Sequence, residues 1–449
     1  MLLALALLAC SSDDAADKAA SGGSGATGPT WHREVAPIVA ERCAGCHRPD
    51  GASFDLTDPA IAASLASSVS DAVTARRMPP WGAFETDECT PTRAWADDRR
   101  LSEAEIETIQ AWAAAGAPVG DPDEAAPAEL TEPETLSGDV LELPATGSYS
   151  SRGGADEFVC LVVNPGNTED MWIDGVETVP ENRGIAHHTL VLLDPDALSD
   201  DLVNEDGWYD CGGDGGLGNP TLLATWVPGQ GPNYAPEGVG MLVPAGSRIV
   251  LQMHYHPAGA VGEVDQPALR LRRLASAPER QLYSALLGNF DHEDDGLLPG
   301  EGDRGAAEFR IPAGSAAHSE EMVVELPEGI PEIPLVMVGA HMHLIGTNMS
   351  VWLERSTPAA DEPDSECLLP ASRYDYDWQQ QYRYEGGVED APTFSSGDRL
   401  VIRCDYNNTL DNPGTARALA DVGLEEPVDV YLGEGTLDEM CIGMFGYVY

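Results

Sequence analysis

Two hydrophobic periods divide the chain. Between residues 31 and 118 apolar positions recur at helical spacing. Val35, Ile38 and Val39 lead into Cys43, and Ile106, Ile109 and Trp112 share one helix face. Ser102-x-x-Glu105 is a capping box, with Leu101 and Ile106 placed as a hydrophobic staple. Gly116 and Pro118 close that element. Residues 119–137 are acidic and proline-rich and read as a linker. From 138 onward the pattern changes to short β-rich runs such as FVCLVV, HHTLVLL, RIVLQMHYH, PLVMVGAHMHL and RLVIRCDY, punctuated by Gly, Pro, Asp and Asn. This predicts antiparallel sandwiches. The β region is too long for one ordinary sandwich, so two are expected, over 138–278 and 279–449. The break falls near 275–282, after the arginine-rich LRLRRL.

The N-terminus and the charge add context. MLLALALLAC (1–10) is apolar but shorter than the roughly 18–20 residues of a membrane span, and reads as a secretory signal. Leu7-Leu8-Ala9-Cys10 resembles a bacterial lipobox, which makes Cys10 the expected lipidation site. The usual positive n-region is missing, and a short hydrophobic N-terminus without function is the alternative. Residues 11–30 suit a flexible tether. The chain carries 76 acidic against 24 basic residues, a net charge of −52. That excludes a nucleic-acid binder and a polybasic membrane-surface protein, leaving a lipid anchor as the expected membrane contact. Hydrophobic residues at 43% exclude wholesale disorder.

Cys43-Ala44-Gly45-Cys46-His47 is C-x-x-C-H, the attachment signal of a c-type haem. Two thiols add to the haem vinyls, and the adjacent imidazole, His47, reaches the iron. A redox dithiol or part of a zinc site are the alternatives; zinc would have only Cys89 and His32 nearby to complete it. Met78, in ARRMPPW, is the expected sixth ligand, with His32 as competitor. The segment from Trp31 to Trp81 resembles the cytochrome c family. The expected fold is therefore multidomain: an all-α cytochrome c domain (31–118) followed by two all-β antiparallel, jelly-roll-like sandwich domains.

Histidines cluster in the β region: His187-His188, His254 with His256, and His341-x-His343. His292 and His318 stand alone. On a strand, i and i+2 share a face, so His341 and His343 can reach one metal. The adjacent pair His187-His188 would diverge in a regular strand. It needs a bulge, a strand end, or mixed Nδ1 and Nε2 ligation. Imidazole suits zinc, copper, iron or nickel; a thioether such as Met440 favours Cu(I).

AHHTLVLL, GVGMLVPAGSRIVLQMHYH, AHMHLIGTNMS, RYDYDWQQQYRY with CDYNN, and GTLDEMC occur in the order seen in the copper type II, ascorbate-dependent monooxygenases, the family of peptidylglycine α-hydroxylating and dopamine β-monooxygenases. Residues 155–449 resemble that family. The resemblance implies two tandem sandwiches facing each other across a cleft, with two copper ions. One would be held by His187, His188 and His254, with His254 selected over His256. The catalytic one would be held by His341, His343 and Met440. It implies disulfides Cys160–Cys211 and Cys404–Cys441. Cys89 and Cys367 remain by elimination, paired or as two unrelated buried cysteines. The family's peptide-binding arginine is replaced by Gly339, and its Asn and Tyr after the methionine by Ile442 and Met444. These departures point to a small apolar substrate.

The function expected is hydroxylation of a C–H bond with O2. Electrons would come through one haem c, from ascorbate or a periplasmic donor, in an exported lipoprotein. A non-catalytic copper and haem electron-transfer lipoprotein, and a copper oxidase or peroxidase-like enzyme, are the alternatives. The acidic surface would steer a basic soluble redox protein, or reflect adaptation to a saline medium.

Overall fold

The computed structural model describes residues 28–49, 51, 53–127, 134–154, 156–212, 215–218, 220–289, 296–360 and 362–449. The signal, most of the tether, Cys10 and His292 lie outside them.

The expected all-α domain is not there. Strand makes up 36% of the chain and helix 15%, and the N-terminal helices are short: Ala36–Arg42, Pro59–Ser64, Ala66–Thr74 and Glu103–Ala114. The predicted capping box is formed, with Ser102 and Glu105 each accepting from the other's backbone N–H. Trp31, Val35, Val39, Leu56 and Trp112 make a small core. Residues 79–97 leave it and run as an irregular strap along the C-terminal half, and Leu101 returns to pack with Ile38, Val73, Ile106 and Ile109. Pro79 and Pro80 lack N–H donors and resist helix, so the strap finds its partners on the sheet. Ala96 N donates to Arg383 O (2.9 Å) and Glu385 N to Ala94 O (2.8 Å). Trp81 and Trp95 sink into the C-terminal core against Tyr382 and Tyr384. The helical segment is an appendage of the β body.

The β body contains two face-to-face pairs of sheets. In the first, Glu157–Val163, Ala186–Asp194 and Arg248–Tyr255 lie in a five-stranded sheet. It packs on the sheet of Met171–Val179, Val239–Val243 and Ala268–Arg273. LRLRRL shows how pattern becomes layer. Leu269 and Leu271 are fully buried, while Arg270, Arg272 and Arg273 pair outward with Glu142, Asp174 and Asp139. In the second pair, His318–Glu325, Gly346–Glu354, Ser365–Ala371 and Arg399–Tyr406 face Arg280–Asn289, Ile333–His341 and Cys441–Val448. The two halves are not separate. Arg280 and Gln281 pair in parallel with Val239 and Gly240, joining both halves in one ten-stranded sheet.

Three disulfides are formed: Cys89–Cys367, Cys160–Cys211 and Cys404–Cys441. They mark an oxidising, exported environment. Among the described residues no helix is long and apolar enough to cross a membrane. Cys89–Cys367 ties the strap to the C-terminal half across 278 residues. Replacing both cysteines with Ser is expected to cost about 2–4 kcal/mol, read as a lower thermal midpoint.

Candidate functional site

A β-bulge builds the first histidine set. His254 lies opposite His188, but the next residue, Tyr255, lies opposite Ala186. His187 is thus the extra residue, and a bulge lets neighbouring side chains turn to one side. Asp265 pins the turn before it, accepting from Glu181 N and Asn182 N (both 2.7 Å) and from the Tyr255 hydroxyl (2.7 Å). The Nδ1 atoms then converge: His187 to His188 and His188 to His254 are each 3.4 Å apart. Ligand atoms of all three lie within 4.8 Å of one another.

The tautomer follows from the next shell. His254, 1% exposed, donates from Nε2 to Asp156 Oδ1 (2.8 Å), so its Nδ1 keeps a lone pair aimed at the cluster. His256 shares the strand face but is exposed and bonds the same carboxylate oxygen (2.9 Å). The structure therefore brings His254, not His256, into the cluster. Burial pushes Asp156 up, but hydrogen bonds from His254, His256 and Arg417 outweigh it and hold the carboxyl well below the carboxylate range. Asp156→Asn is expected to weaken metal binding at the three histidines about 10–100-fold, measured by titration.

The second set uses the other ring nitrogen. His341 Nδ1 donates to Gln379 Oε1 (2.5 Å) and His343 Nδ1 to the Asp438 carbonyl (2.9 Å), leaving both Nε2 atoms free. Their ring centroids are 5.5 Å apart. Glu439, 1% exposed, accepts from His343 N (2.7 Å), Ile345 N (2.9 Å) and Met440 N (3.2 Å). One carboxyl thus organises the H-x-H turn and the methionine together. Tyr406 donates to Met440 O (2.8 Å), and the neighbouring Cys441 is held by Cys404.

Both sets line one cleft of about 540 Å³, with His188 and His254 on one wall and His341, His343 and Met440 on the other. Tyr376 stands between them, its ring 6.4 Å from His254 and 6.5 Å from His343.

No family model and no curated protein matches the chain. Among solved structures, the major capsid protein P2 of bacteriophage PM2 is 7% identical, covering 69% of this chain and 97% of its own, at TM-score 0.26. N-glycanase F (PNGase F) is 9% identical over 69% and 95%, at 0.25. An allantoicase is 12% identical over 58% and 81%, at 0.17.

The C-x-x-C-H segment borders a second, largely apolar cavity of about 740 Å³. Cys43, Cys46, His47 and Met78 all line it, as do Leu56, Val69 and Val73, and His32 does not. Both thiols are free; burial pushes Cys43 up to about 12. The Phe54 carbonyl sits 3.2 Å from His47 Nδ1, which leaves Nε2 for an iron. Free thiols, tautomer, thioether and apolar walls fit a covalently attached haem.

Burial, with His254 nearby, holds His187 down to about 4; burial, with His343 nearby, does the same to His341. Both are neutral at pH 7, as metal ligands must be. Below their ordinary 6.5, the unfolded chain takes up protons that the folded chain refuses. The metal-free protein is expected to lose stability as pH falls from about 6.5 towards 4. His341→Gln should flatten that slope in thermal unfolding.

Asp156, Glu439, Gln379 and Tyr376 escaped the sequence reading. Tyr376 and Gln379 lie within RYDYDWQQQYRY and Glu439 within GTLDEMC, but nothing in those motifs marks what they touch, and Asp156 left no signal.

Proposed function

We propose that the chain is an exported copper-dependent monooxygenase, drawing electrons through a covalently bound c-type haem. The reaction is RH + O2 + 2 e⁻ + 2 H⁺ → ROH + H2O. The observation that supports it most is the shared cleft, which His188 and His254 of the three-histidine cluster line together with His341, His343 and Met440. Copper bound there would supply one-electron redox chemistry and O2 activation. Imidazoles with a thioether suit Cu(I), so His341, His343 and Met440 form the catalytic set we propose, and His187, His188 and His254 the electron-storing set.

The chain's own groups prepare the site. Gln379 and the Asp438 carbonyl lock the two imidazoles, and Asp156 locks His254. Phe158, Leu190 and Leu344 give the cleft apolar wall. Its arginine, Arg417, is already held by Asp156 and Asp377, while Asp421 and Glu434 oppose anions. A side chain at Gly339 would meet Met444 Cε at 2.7 Å and the Gln380 carbonyl at 3.0 Å, so Met444 occupies the space an anion-binding arginine would need. These features favour a small, neutral, apolar substrate.

We further propose lipid anchoring at Cys10, with ascorbate or a basic periplasmic redox protein as donor. The test is ¹⁸O2 incorporation by the haem- and copper-loaded protein, reduced, across a panel of apolar compounds. One ¹⁸O atom per product molecule is expected. Reducible haem and bound copper without any ¹⁸O product would instead identify an electron-transfer lipoprotein.

A further inference from the structure

Which metal set the haem serves is readable from the walls of its cavity. Facing Cys43, Cys46, His47 and Met78 are residues of the first sandwich: Arg183, Ile185, Ala186, His187 and His256. His187 therefore belongs to both sites. Its Nδ1 is 3.4 Å from His188 Nδ1 in the three-histidine cluster, and the residue lines the haem cavity. Trp378, whose ring is 6.2 Å from that of His187, lines it too. His341, His343 and Met440 do not border it.

The seam between the two segments is close. Cys46 Sγ donates to the Pro228 carbonyl (3.3 Å). Gly229 has a positive φ of 77°, and a Cβ there would lie 2.1 Å from Cys46 Sγ. Only glycine permits this approach.

Charge supplies an independent observation. The chain carries 76 acidic against 24 basic residues. Among the described residues no hydrogen bond or ion pair is made by the guanidiniums of Arg48, Arg99 and Arg183, or by that of Arg77 in a different pocket. Arg99 and Arg183 line the haem cavity, and with Arg48 they line the polar cavity of about 710 Å³ adjoining it. Unpaired guanidiniums at a largely apolar cavity fit a ligand that is apolar in its body and anionic at one edge, as a haem with its two propionates is.

We infer that the helical segment and the first sandwich together enclose the haem, and that electrons pass from it to the three-histidine site through His187, with Arg183 as a positioning residue for the haem's anionic edge. This rests on the haem and copper reading above. Each transfer moves one electron: ferrous iron becomes ferric and cupric copper becomes cuprous, with no bond made or broken. The external one-electron donor then reduces the iron again.

The experiment is anaerobic stopped-flow on the full chain loaded with haem and Cu(II), following haem oxidation after rapid reduction. Removing the three-histidine copper by His188→Ala, or by His254→Ala should the first variant misfold, is expected to slow the intramolecular phase about tenfold or more, because tethered delivery is lost. His341→Ala should leave that phase in place. Arg183→Gln should keep copper content and lower the haem midpoint potential, since the lost cation favours the reduced state less. A phase that survives His188→Ala and disappears in His341→Ala would overturn the inference while leaving the proposed function standing. A haem phase that behaves as expected without any ¹⁸O product would do the reverse.

Discussion

His341→Ala and Met440→Ala should each reduce hydroxylation by at least about a hundredfold, the scale on which a misplaced reacting group acts. Copper content should drop at the second set alone, and the haem spectrum should stay as it is. His341 and Met440 line the cleft with His188 and His254 but belong to neither the bulge nor the carboxylate that hold the three-histidine cluster, so both variants are expected to keep it. The checks are product yield with ¹⁸O2, metal analysis and the visible haem bands. If product persists at wild-type rate in both variants, the catalytic assignment is wrong, whatever the state of the haem.

Glu439→Ala should be the most damaging single change away from the ligands. It leaves the N–H groups of His343, Ile345 and Met440 without their acceptor in a buried site. At roughly 1–3 kcal/mol for each orphaned group, the total is about 3 kcal/mol or more. The expected readouts are a thermal midpoint several degrees lower and loss of copper at the second set. Burial pushes the Glu439 carboxyl up, but oxygen lone pairs persist in either protonation state. Glu439→Gln, which keeps one acceptor oxygen, should therefore recover part of the stability. An unchanged midpoint in Glu439→Ala would mean that water replaces the carboxyl.

Local pattern made several features legible. The capping box at Ser102 and the alternation of LRLRRL depend on neighbours in the chain, and the structure forms both. The helical period of 31–118 misled about scale. Helical spacing marks which face of a segment is apolar but not what covers it. Trp81 and Trp95 are covered by the C-terminal half, so residues 79–97 became a strap rather than part of an all-α domain. Cys160–Cys211 and Cys404–Cys441 form as the family resemblance implied, while the meeting of Cys89 with Cys367 depends on a folded geometry that sequence distance does not measure.

By itself the sequence determined the apolar faces, the C-x-x-C-H signal and which imidazoles and thioether are available, because these depend on residue identity and short spacing. Only the tertiary structure decided that Glu439 and Asp156 hold the two sets and that His187 borders the cavity of the C-x-x-C-H segment; it also brings in His254, which the family resemblance had selected over His256. Those outcomes depend on contacts between strands and loops far apart in the chain: one bulge opposite His254 turns His187, and one strand pairing joins both halves. The −52 charge shows the same division. Its sum excluded partners from the sequence alone, while its spatial pairing, in which Arg48, Arg99 and Arg183 lining one cavity have no ion pair among the described residues, exists only in the fold.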